Sequence, residues 1–351
     1  MSQPIKTSKT DKNSKAAEIS KAAETSKSAE TSRAAETSRA ATGLKAEKQS
    51  TPVNRSISDL NRHPVLGIDH VFILASELEK NADRFRRLGF TLSPRGVHSK
   101  ERGTANYTVM FAEDYFELLG IVEETPANRD KKYNLETYGE GLYAIAGRIA
   151  NAVNAKKSLA ELGFDVTDVQ SFSRPLKLPD GKTGRAAFST IAFEQNEVPN
   201  GQVFMCEQKT RDMVWRSELM THKNSAIGLK SVTLLASEPE EIAQRYARLF
   251  RDGSVKKEAR EFIVTTGKNS ATIRVLTEET YKRLFPSFKV EKVARHAYAG
   301  LSIYVKDIGT AKHVLEENGI TFQQENNKNI VIAPDHAAGT VLEFVEKHRA
   351  D

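Results

Sequence analysis

The sequence of 351 residues contains one cysteine and no long apolar run, and each shortage excludes a class of protein. Cys206 has no second cysteine to pair with, so an internal disulfide and a cysteine-based zinc site are both excluded. No stretch approaches the roughly 20 apolar residues that a membrane-spanning helix needs. The N-terminus has no apolar segment of the signal-peptide type. We therefore expect a cytoplasmic protein with no membrane partner.

Three short motifs of well-known enzyme classes are also missing. The sequence contains no G-x-G-x-x-G, no G-x-x-x-x-G-K-[ST] and no G-x-S-x-G. These motifs mark dinucleotide binding, phosphate-binding loops and the nucleophile turn of α/β-hydrolases. The chain therefore lacks the sequence signature of all three classes.

The positive charge of the chain is concentrated near its N-terminus. The net charge is +6, and the first 66 residues hold 12 Lys or Arg against 7 Asp or Glu. The rest of the chain is therefore nearly neutral. Because nucleic-acid affinity depends on clustered phosphate contacts, we expect no nucleic-acid binding by the folded part.

The N-terminal segment, residues 1–63, differs in composition from everything that follows. It is rich in Ser, Lys, Ala and Glu, and the first aromatic residue of the chain is Phe72. Hexads such as SKAAET recur from Ser14 to about Gly43. Each hexad rotates a helix by a net angle of about 240°, so no constant face forms. We expect a disordered tail that can be removed without loss of folding; an arm that binds a partner is the alternative.

Four similar units follow the tail, each in the order β-α-β-β-β. In the first unit the predicted elements are the strand Gly67–Ala75, the helix Leu78–Leu88, and the strands Phe90–Val97, Asn106–Ala112 and Tyr115–Val122. Later units open at Gly141, Gly228 and Ala299. Short helices between mainly antiparallel strands predict an α+β fold of tandem βαβββ modules. The predicted domains are a tail (1–63), modules 1 and 2 (64–212), a linker (213–227) and modules 3 and 4 (228–348).

The first unit places an imidazole and a carboxylate on its first and last strands. Alternation puts His70 on one face with Phe72 and Leu74, and Glu117 on one face with Tyr115. Because an unpaired carboxylate is costly to bury, Glu117 needs a cation or a hydrogen-bond donor. A hydrogen-bonded core histidine and a structural ion pair are the alternatives to a functional site. We expect both side chains to face one cleft.

Four phrases of the first unit resemble a known family. They are GIDH at Gly67–His70, RLGF at Arg87–Phe90, GTAN at Gly103–Asn106 and YFEL at Tyr115–Leu118. Together with the V-W-R at Trp215 they resemble a glyoxalase-like domain of the vicinal oxygen chelate superfamily. The resemblance covers about residues 67–237 and implies that the modules pair into two half-open barrels.

The resemblance also implies a divalent metal in the cleft, with ligands from the first and last strands of paired modules. His70 and Glu117 match two ligand positions, and Glu207 is near the carboxylate position of the second module. Ala144 stands where a second histidine is expected, and we expect it to leave a gap. The metal could be zinc, manganese, nickel, magnesium or iron. One histidine is fewer than the two found in the usual iron-oxygenase triad.

The resemblance implies roles for further residues of the same cleft. Glu117 and Glu207 are the candidate catalytic groups that move a proton, and Asn106 and Phe72 are candidate substrate contacts. In the third and fourth modules Ser231 and Ser302 occupy the first-strand ligand positions. Only Glu343 keeps a last-strand carboxylate there, which indicates a degenerate second pair.

Three functions remain open from the sequence. The first is a metal-assisted lyase or isomerase that acts on a small oxygenated metabolite. The second is a metal-free protein that binds or sequesters a small molecule. The third is an interaction module that recruits a partner through its tail. A homodimer is a candidate assembly.

Overall fold

Four copies of one βαβββ module make up the structure, a computed structural model that describes residues 62–178, 181–198, 201–288, 298–325 and 329–348. The predicted tail and its hexads lie outside the described residues. The first module contains β1 (Ile68–Ala75), α1 (Leu78–Arg87), β2 (Gly96–Val97), β3 (Thr104–Met110) and β4 (Tyr115–Ile121). A helix, α2 (Arg129–Tyr138), connects it to the next module.

The second module repeats this order. It contains β5 (Gly141–Arg148), α3 (Ala152–Glu161), β6 (Gln170–Lys177), β7 (Thr183–Ala192) and β8 (Gln202–Gln208). The short helix α4 (Arg211–Val214) begins the connection to the third module. Modules 1 and 2 together are called the first module pair below.

Modules 3 and 4 form the second module pair. The third contains β9 (Ala226–Leu235), α5 (Pro239–Ala247), β10 (Ser254–Lys257), β11 (Phe262–Thr265) and β12 (Thr272–Leu276), followed by α6 (Glu278–Leu284). The fourth contains β13 (Tyr298–Val305), α7 (Ile308–Glu317), β14 (Phe322–Glu325), β15 (Asn329–Ile332) and β16 (Val341–Glu346). The predicted α+β fold of four modules is confirmed.

Within each module the last strand pairs in parallel with the first. β4 lies beside β1, β8 beside β5, β12 beside β9, and β16 beside β13. The first strands then pair antiparallel, β1 with β5 and β9 with β13. Tyr298 of β13 also pairs with Leu142 of β5, which joins the two module pairs into one open sheet. The predicted half-open arrangement is therefore present.

The helices end where the sequence places glycine. Gly89 and Gly163, which follow the predicted helices of modules 1 and 2, have φ angles of +93° and +81°. Glycine adopts such angles without the steric cost that a Cβ would impose, so it can end a helix and turn the chain towards the next strand. Pro239 lies in the first turn of α5, as predicted.

The strands of the structure differ from the sequence prediction in two ways. The predicted strand Phe90–Val97 pairs only over Gly96–Val97, since Pro94 has no N–H for a sheet ladder. Five strands are not located by the sequence patterns: β6, β10, β11, β12 and β14. In β6 the reason is its sequence, QSFSRPLK, which is polar and contains Pro175. In the described residues no helix is both long and apolar enough to cross a membrane.

Candidate functional site

A cavity of about 260 Å³ lies on the inner face of the first module pair. Alternation along β1, β3, β4, β6 and β8 selects most of its lining, because every second side chain points to the same face. β1 contributes two side chains and β3, β4, β6 and β8 three each: His70, Phe72; Thr104, Asn106, Thr108; Tyr115, Glu117, Leu119; Gln170, Phe172, Arg174; Gln202, Phe204, Cys206. This space is called the first cavity below.

His70 and Glu117 both line the first cavity, as the alternation argument expected. The Nδ1 atom of His70 lies 2.7 Å from Oδ1 of the buried Asp69, and the ring stacks on Tyr115 at 4.3 Å. A carboxylate on one imidazole nitrogen fixes the ring orientation and favours the tautomer with hydrogen on that nitrogen. Nε2 is then the His70 nitrogen available to the cavity.

Glu117 is the one carboxylate among the side chains that line the first cavity. Its Oε2 accepts a hydrogen bond from Nδ2 of Asn106. Three cationic side chains, Arg102, Lys131 and Arg174, line the same cavity and interact electrostatically with Glu117. The expectation that this carboxylate needs a cation or a donor is met by both.

The three cations are poorly compensated. Burial lowers the pKa of Arg102 and of Arg174, and burial together with the charge of Arg102 lowers the pKa of Lys131. The guanidinium of Arg102 lies over the ring of Phe172, 3.7 Å from its centroid. Arg174 is only 8% exposed, and its Nε has no hydrogen-bond partner in the described part of the chain. The cavity wall therefore favours a bound anion.

His98 also lines the first cavity, close to these cations, and it is neutral. Its Nδ1 lies 2.8 Å from Oγ1 of Thr104. Burial, followed by the charges of Arg174, Arg102 and Lys131, lowers the pKa of His98 to about 3. Protonation would add a fourth positive charge to the wall, so the folded protein keeps this imidazole uncharged at neutral pH.

This lowered pKa predicts a loss of stability in acid. Because an unfolded histidine has a pKa near 6.5, the unfolded state binds more protons than the folded state between about pH 6.5 and 3. The stability that the neutral His98 side chain contributes is fully present above about pH 6.5, and it is lost as the pH falls towards about 3. We expect His98 to account for about 2 kcal/mol of the stability lost between pH 7 and 5.

Urea unfolding at pH 7 and pH 5 measures this effect. His98→Gln should lose less stability between the two pH values than the native protein. His313→Gln is the matched control, because the His313 side chain is 71% exposed. An identical pH dependence in the native protein and His98→Gln would contradict the prediction.

Strand register shows which residues of module 2 are equivalent to His70 and Glu117. In module 1 His70 pairs with Tyr115, and Phe72 with Glu117. In module 2 Ala144 pairs with Gln202, and Ala146 with Phe204. With Ala144 aligned to His70, Phe204 occupies the position of Glu117. Across the two modules His70 faces Ala146 and Phe72 faces Ala144, which is the symmetry this alignment requires.

The expectation that Glu207 enters the cleft is therefore wrong. Glu207 does not line the first cavity, and its Oε2 accepts a hydrogen bond of 2.9 Å from the backbone N–H of Ala152 at the start of α3. Glu346 makes the same contact, at 2.9 Å, with the N–H of Ile308 at the start of α7. Helix N-termini have unpaired N–H groups that carboxylates satisfy, so Glu207 is a helix-capping residue.

The expected gap at Ala144 is also absent. Ala144 is fully buried in an apolar cluster with Phe72, Leu74 and Leu119. Phe204 packs against this cluster, and its ring lies 5.5 Å from that of His70. The space that a second histidine would occupy is filled by apolar side chains.

These residues do not fit the divalent metal that the family resemblance implies. The four equivalent positions hold His70, Glu117, Ala144 and Phe204, so only two of them offer a donor atom. A divalent cation there would also face three cationic side chains, and like charges in a partly buried site repel strongly. Among the described residues no group of three or more His, Cys, Asp or Glu side chains is placed to hold a metal ion.

Both predicted substrate contacts line the first cavity. Asn106 donates to Glu117 through Nδ2, and its buried Oδ1 has no hydrogen-bond partner in the described structure. Phe72 stacks on Tyr143 at 5.4 Å and lies 6.1 Å from Phe204. Burial raises the pKa of Cys206 well above its usual value, so this thiol stays protonated.

The three cations of this site were not predicted from the sequence. Arg102 precedes the GTAN phrase, Lys131 belongs to the connecting helix α2, and Arg174 lies on the unpredicted strand β6. Only the alternation of Phe172 and Arg174 in β6 offered a signal. The three meet because separate elements converge on one cavity, which sequence patterns do not report.

The second module pair holds an ion cluster at the related strands. Nε of Arg274 lies 2.7 Å from Oε2 of Glu261, and Nη1 lies 3.6 Å from Oε2 of Glu343. Glu343 also accepts hydrogen bonds from Ser302 at 2.7 Å and Asn329 at 3.1 Å. Ser231 is buried, and its Oγ has no hydrogen-bond partner among described residues. The strands of the second pair that are equivalent to those lining the first cavity therefore carry an ion cluster.

Comparisons with known proteins agree with this architecture. A family model described as a glyoxalase-like domain matches residues 68–250. No curated protein matches the sequence. A hypothetical protein from Staphylococcus aureus has a similar structure, with a TM-score of 0.54 and 12% identity over 80% of this chain and 98% of its own.

Two further solved structures share the fold. One is a xylose isomerase-like TIM barrel/4-hydroxyphenylpyruvate dioxygenase fusion protein, with a TM-score of 0.52 and 11% identity over 82% of this chain and 50% of its own. The other is a triple mutant of 4-hydroxymandelate synthase from Streptomyces coelicolor, with a TM-score of 0.50 and 10% identity over 81% of this chain and 93% of its own. At such identities the likeness shows the fold alone.

Proposed function

This chain belongs to the glyoxalase-like domain family, and we propose that it binds a small organic anion in the first cavity without a metal ion. The observation that carries the proposal is the charge of the cavity wall. Arg102, Lys131 and Arg174 face a single carboxylate, Glu117, so a bound anion would balance the excess positive charge. Guanidinium groups suit this role because they bind carboxylates and phosphates through two parallel hydrogen bonds.

The other side chains that line the first cavity indicate the chemistry of the part of the ligand that is not the anionic group. Five aromatic side chains line the cavity: Phe72, Tyr115, Phe172, Phe188 and Phe204. Apolar walls with a few placed polar groups are typical of small-molecule sites. We therefore infer that the anion carries an apolar or aromatic body. The buried Oδ1 of Asn106 lacks a donor, which favours a ligand that also carries a hydroxyl group.

Titration calorimetry with 3-phenylpropanoate and its 2-hydroxy derivative tests the proposal. We expect both anions to bind, the hydroxy acid more tightly, with the same affinity before and after chelator treatment. Metal analysis of protein purified without added metal should find no stoichiometric divalent ion. Binding that appears only after zinc, manganese, nickel, magnesium or iron is added would contradict the proposal and restore the metal-assisted alternative.

The same complexes separate binding from catalysis. The contact between Asp69 and His70 leaves one imidazole nitrogen for the cavity, and Glu117 is a second group that could move a proton. NMR of the bound acids in D₂O measures exchange of the hydrogen on the carbon next to the carboxylate. Exchange that His70→Gln removes would identify an enzyme for proton transfer, whereas binding without exchange identifies a binding protein.

A further inference from the structure

A second cavity adjoins the first and shares part of its wall. It has a volume of about 320 Å³. Thr108, Arg174 and Val214 line both cavities. Strand β6 runs from one to the other, because Phe172 lines only the first cavity and Leu176 only the second. The guanidinium of Arg174 therefore belongs to the partition between them.

The second cavity is mainly apolar and contains no carboxylate in its lining. Seven of its side chains are apolar: Pro94, Val97, Pro175, Leu176, Met213, Val214 and Leu219. Arg95 also lines it but pairs with Glu79 at 2.9 Å, and Arg216 pairs with Glu218 at 2.6 Å. These two arginines are already compensated, and Lys177, the remaining cation of the lining, is exposed. Arg174 is therefore the buried cation at the partition, and its Nε has no hydrogen-bond partner in the described residues.

The absence of a side chain at Gly96 leaves the room that Arg174 needs in this position. A Cβ built on Gly96 would lie 2.6 Å from Nη1 of Arg174 and 2.4 Å from Oδ1 of Asn106. The guanidinium and the Asn106 amide thus share the space above this glycine. Their placement brings a buried cation and an unpaired acceptor to the point where the two cavities meet.

We propose that the second cavity is a subsite for an apolar arm of the same ligand, whose anionic group binds Arg174 at the partition. The ligand is then an organic monoanion with two apolar substituents, one on each side of the anionic group. The body occupies the aromatic first cavity and the arm occupies the second. This inference rests on the proposed function, because it assumes that the anion binds Arg174.

A series of 2-alkyl-3-phenylpropanoates with methyl, butyl and hexyl arms tests the subsite. Each keeps the carboxylate and the phenyl body of 3-phenylpropanoate and adds only the arm. Burial of apolar surface should tighten binding about three- to fourfold for each added methylene until the second cavity is full. Calorimetric affinities of the native protein for the series give this slope.

Two variants block the second cavity. Val97 is 46% exposed, and Val97 and Met213 line the second cavity but not the first. Val97→Trp and Met213→Trp should each abolish the dependence on arm length and leave the affinity for 3-phenylpropanoate unchanged. Val153→Trp is the control, because Val153 is 65% exposed on α3 and lines neither cavity.

The outcomes separate this inference from the proposed function. If 3-phenylpropanoate binds but longer arms do not tighten binding, the subsite is wrong and the proposed function stands. The subsite is also wrong if both tryptophan variants keep the dependence on arm length. If neither the parent acid nor any armed acid binds, the proposed function and the subsite fail together.

Discussion

Replacing Arg174 with methionine is expected to weaken the binding of 3-phenylpropanoate by about 10- to 100-fold. A hydrogen bond between charged groups contributes about 1.5–3 kcal/mol, and about 1.4 kcal/mol corresponds to a tenfold change in affinity. Arg174 is 8% exposed, so water screens its charge little. Methionine keeps much of the apolar stem and removes the guanidinium. Calorimetry on the two proteins measures the difference.

The same substitution is not expected to destabilise the fold. A buried charge without an acidic hydrogen-bond partner costs free energy in the folded protein, and an apolar side chain of similar length removes that cost. We expect Arg174→Met to unfold at the same or a higher urea concentration than the native protein. Lower affinity with undiminished stability is the pattern of a binding residue that is held in place at a cost to stability.

Arg185→Met is the matched control for this experiment. Arg185 lies on β7, the strand next to β6, and is exposed. Its Nη1 donates to Oγ of Ser173 at 2.8 Å, and it lines neither cavity. This control changes the net charge by the same amount and should leave the affinity unaltered. Equal losses of affinity in both variants would mean that overall charge, rather than the position of Arg174, attracts the anion.

The sequence predicted the half of the site that depends on local geometry. His70 and Glu117 meet in one cavity because alternation along a strand depends only on neighbouring residues. Alternation also excludes Glu207 from the cavity, because Glu207 shares its face of β8 with Val203 and Met205, two core residues that are fully buried. The family resemblance instead favoured Glu207, the nearest carboxylate in the sequence. The position equivalent to Glu117 is occupied by Phe204.

The half of the site that the sequence did not predict is the group of three cations, which long-range contacts bring together. Arg102, Lys131 and Arg174 belong to a loop, a connecting helix and a polar strand, and no spacing in the sequence relates them. The composition gave no indication of a cationic cavity, since the folded part of the chain is nearly neutral overall. A local excess of positive charge in a neutral protein becomes visible only when the fold brings separate elements together.

The second module pair gives the largest expected effect on stability. Arg274→Met should lower the free energy of unfolding by about 3 kcal/mol, a typical cost of removing one partner from a buried ion pair. The side chains of Arg274, Glu261 and Glu343 are only 17%, 19% and 12% exposed. Burial alone would lower the pKa of Arg274, but Glu343 and Glu261 raise it above its usual value. Without this cation two carboxylates remain in a poorly hydrated cluster.

A surface pair in the same module pair provides the comparison. Nη2 of Arg283 lies 2.7 Å from Oε1 of Glu279, but these side chains are 58% and 80% exposed. Because exposed pairs contribute at most about 1 kcal/mol, Arg283→Met should change stability much less than Arg274→Met. Urea unfolding of both variants at pH 7 measures the two losses. Equal losses would show that the Arg274 cluster is no more important than a surface pair.

Removing the stranded carboxylates should recover part of the lost stability. In Arg274→Met combined with Glu261→Gln and Glu343→Gln, no unpaired charge remains, whereas Ser302 and Asn329 can still hydrogen-bond a glutamine at position 343. The triple variant should therefore be more stable than Arg274→Met alone. Such recovery would assign the loss to uncompensated charge rather than to packing around the arginine stem. It would also show how the two module pairs differ: Arg274 of the second pair lies between two carboxylates, whereas three cations of the first pair share one carboxylate, Glu117.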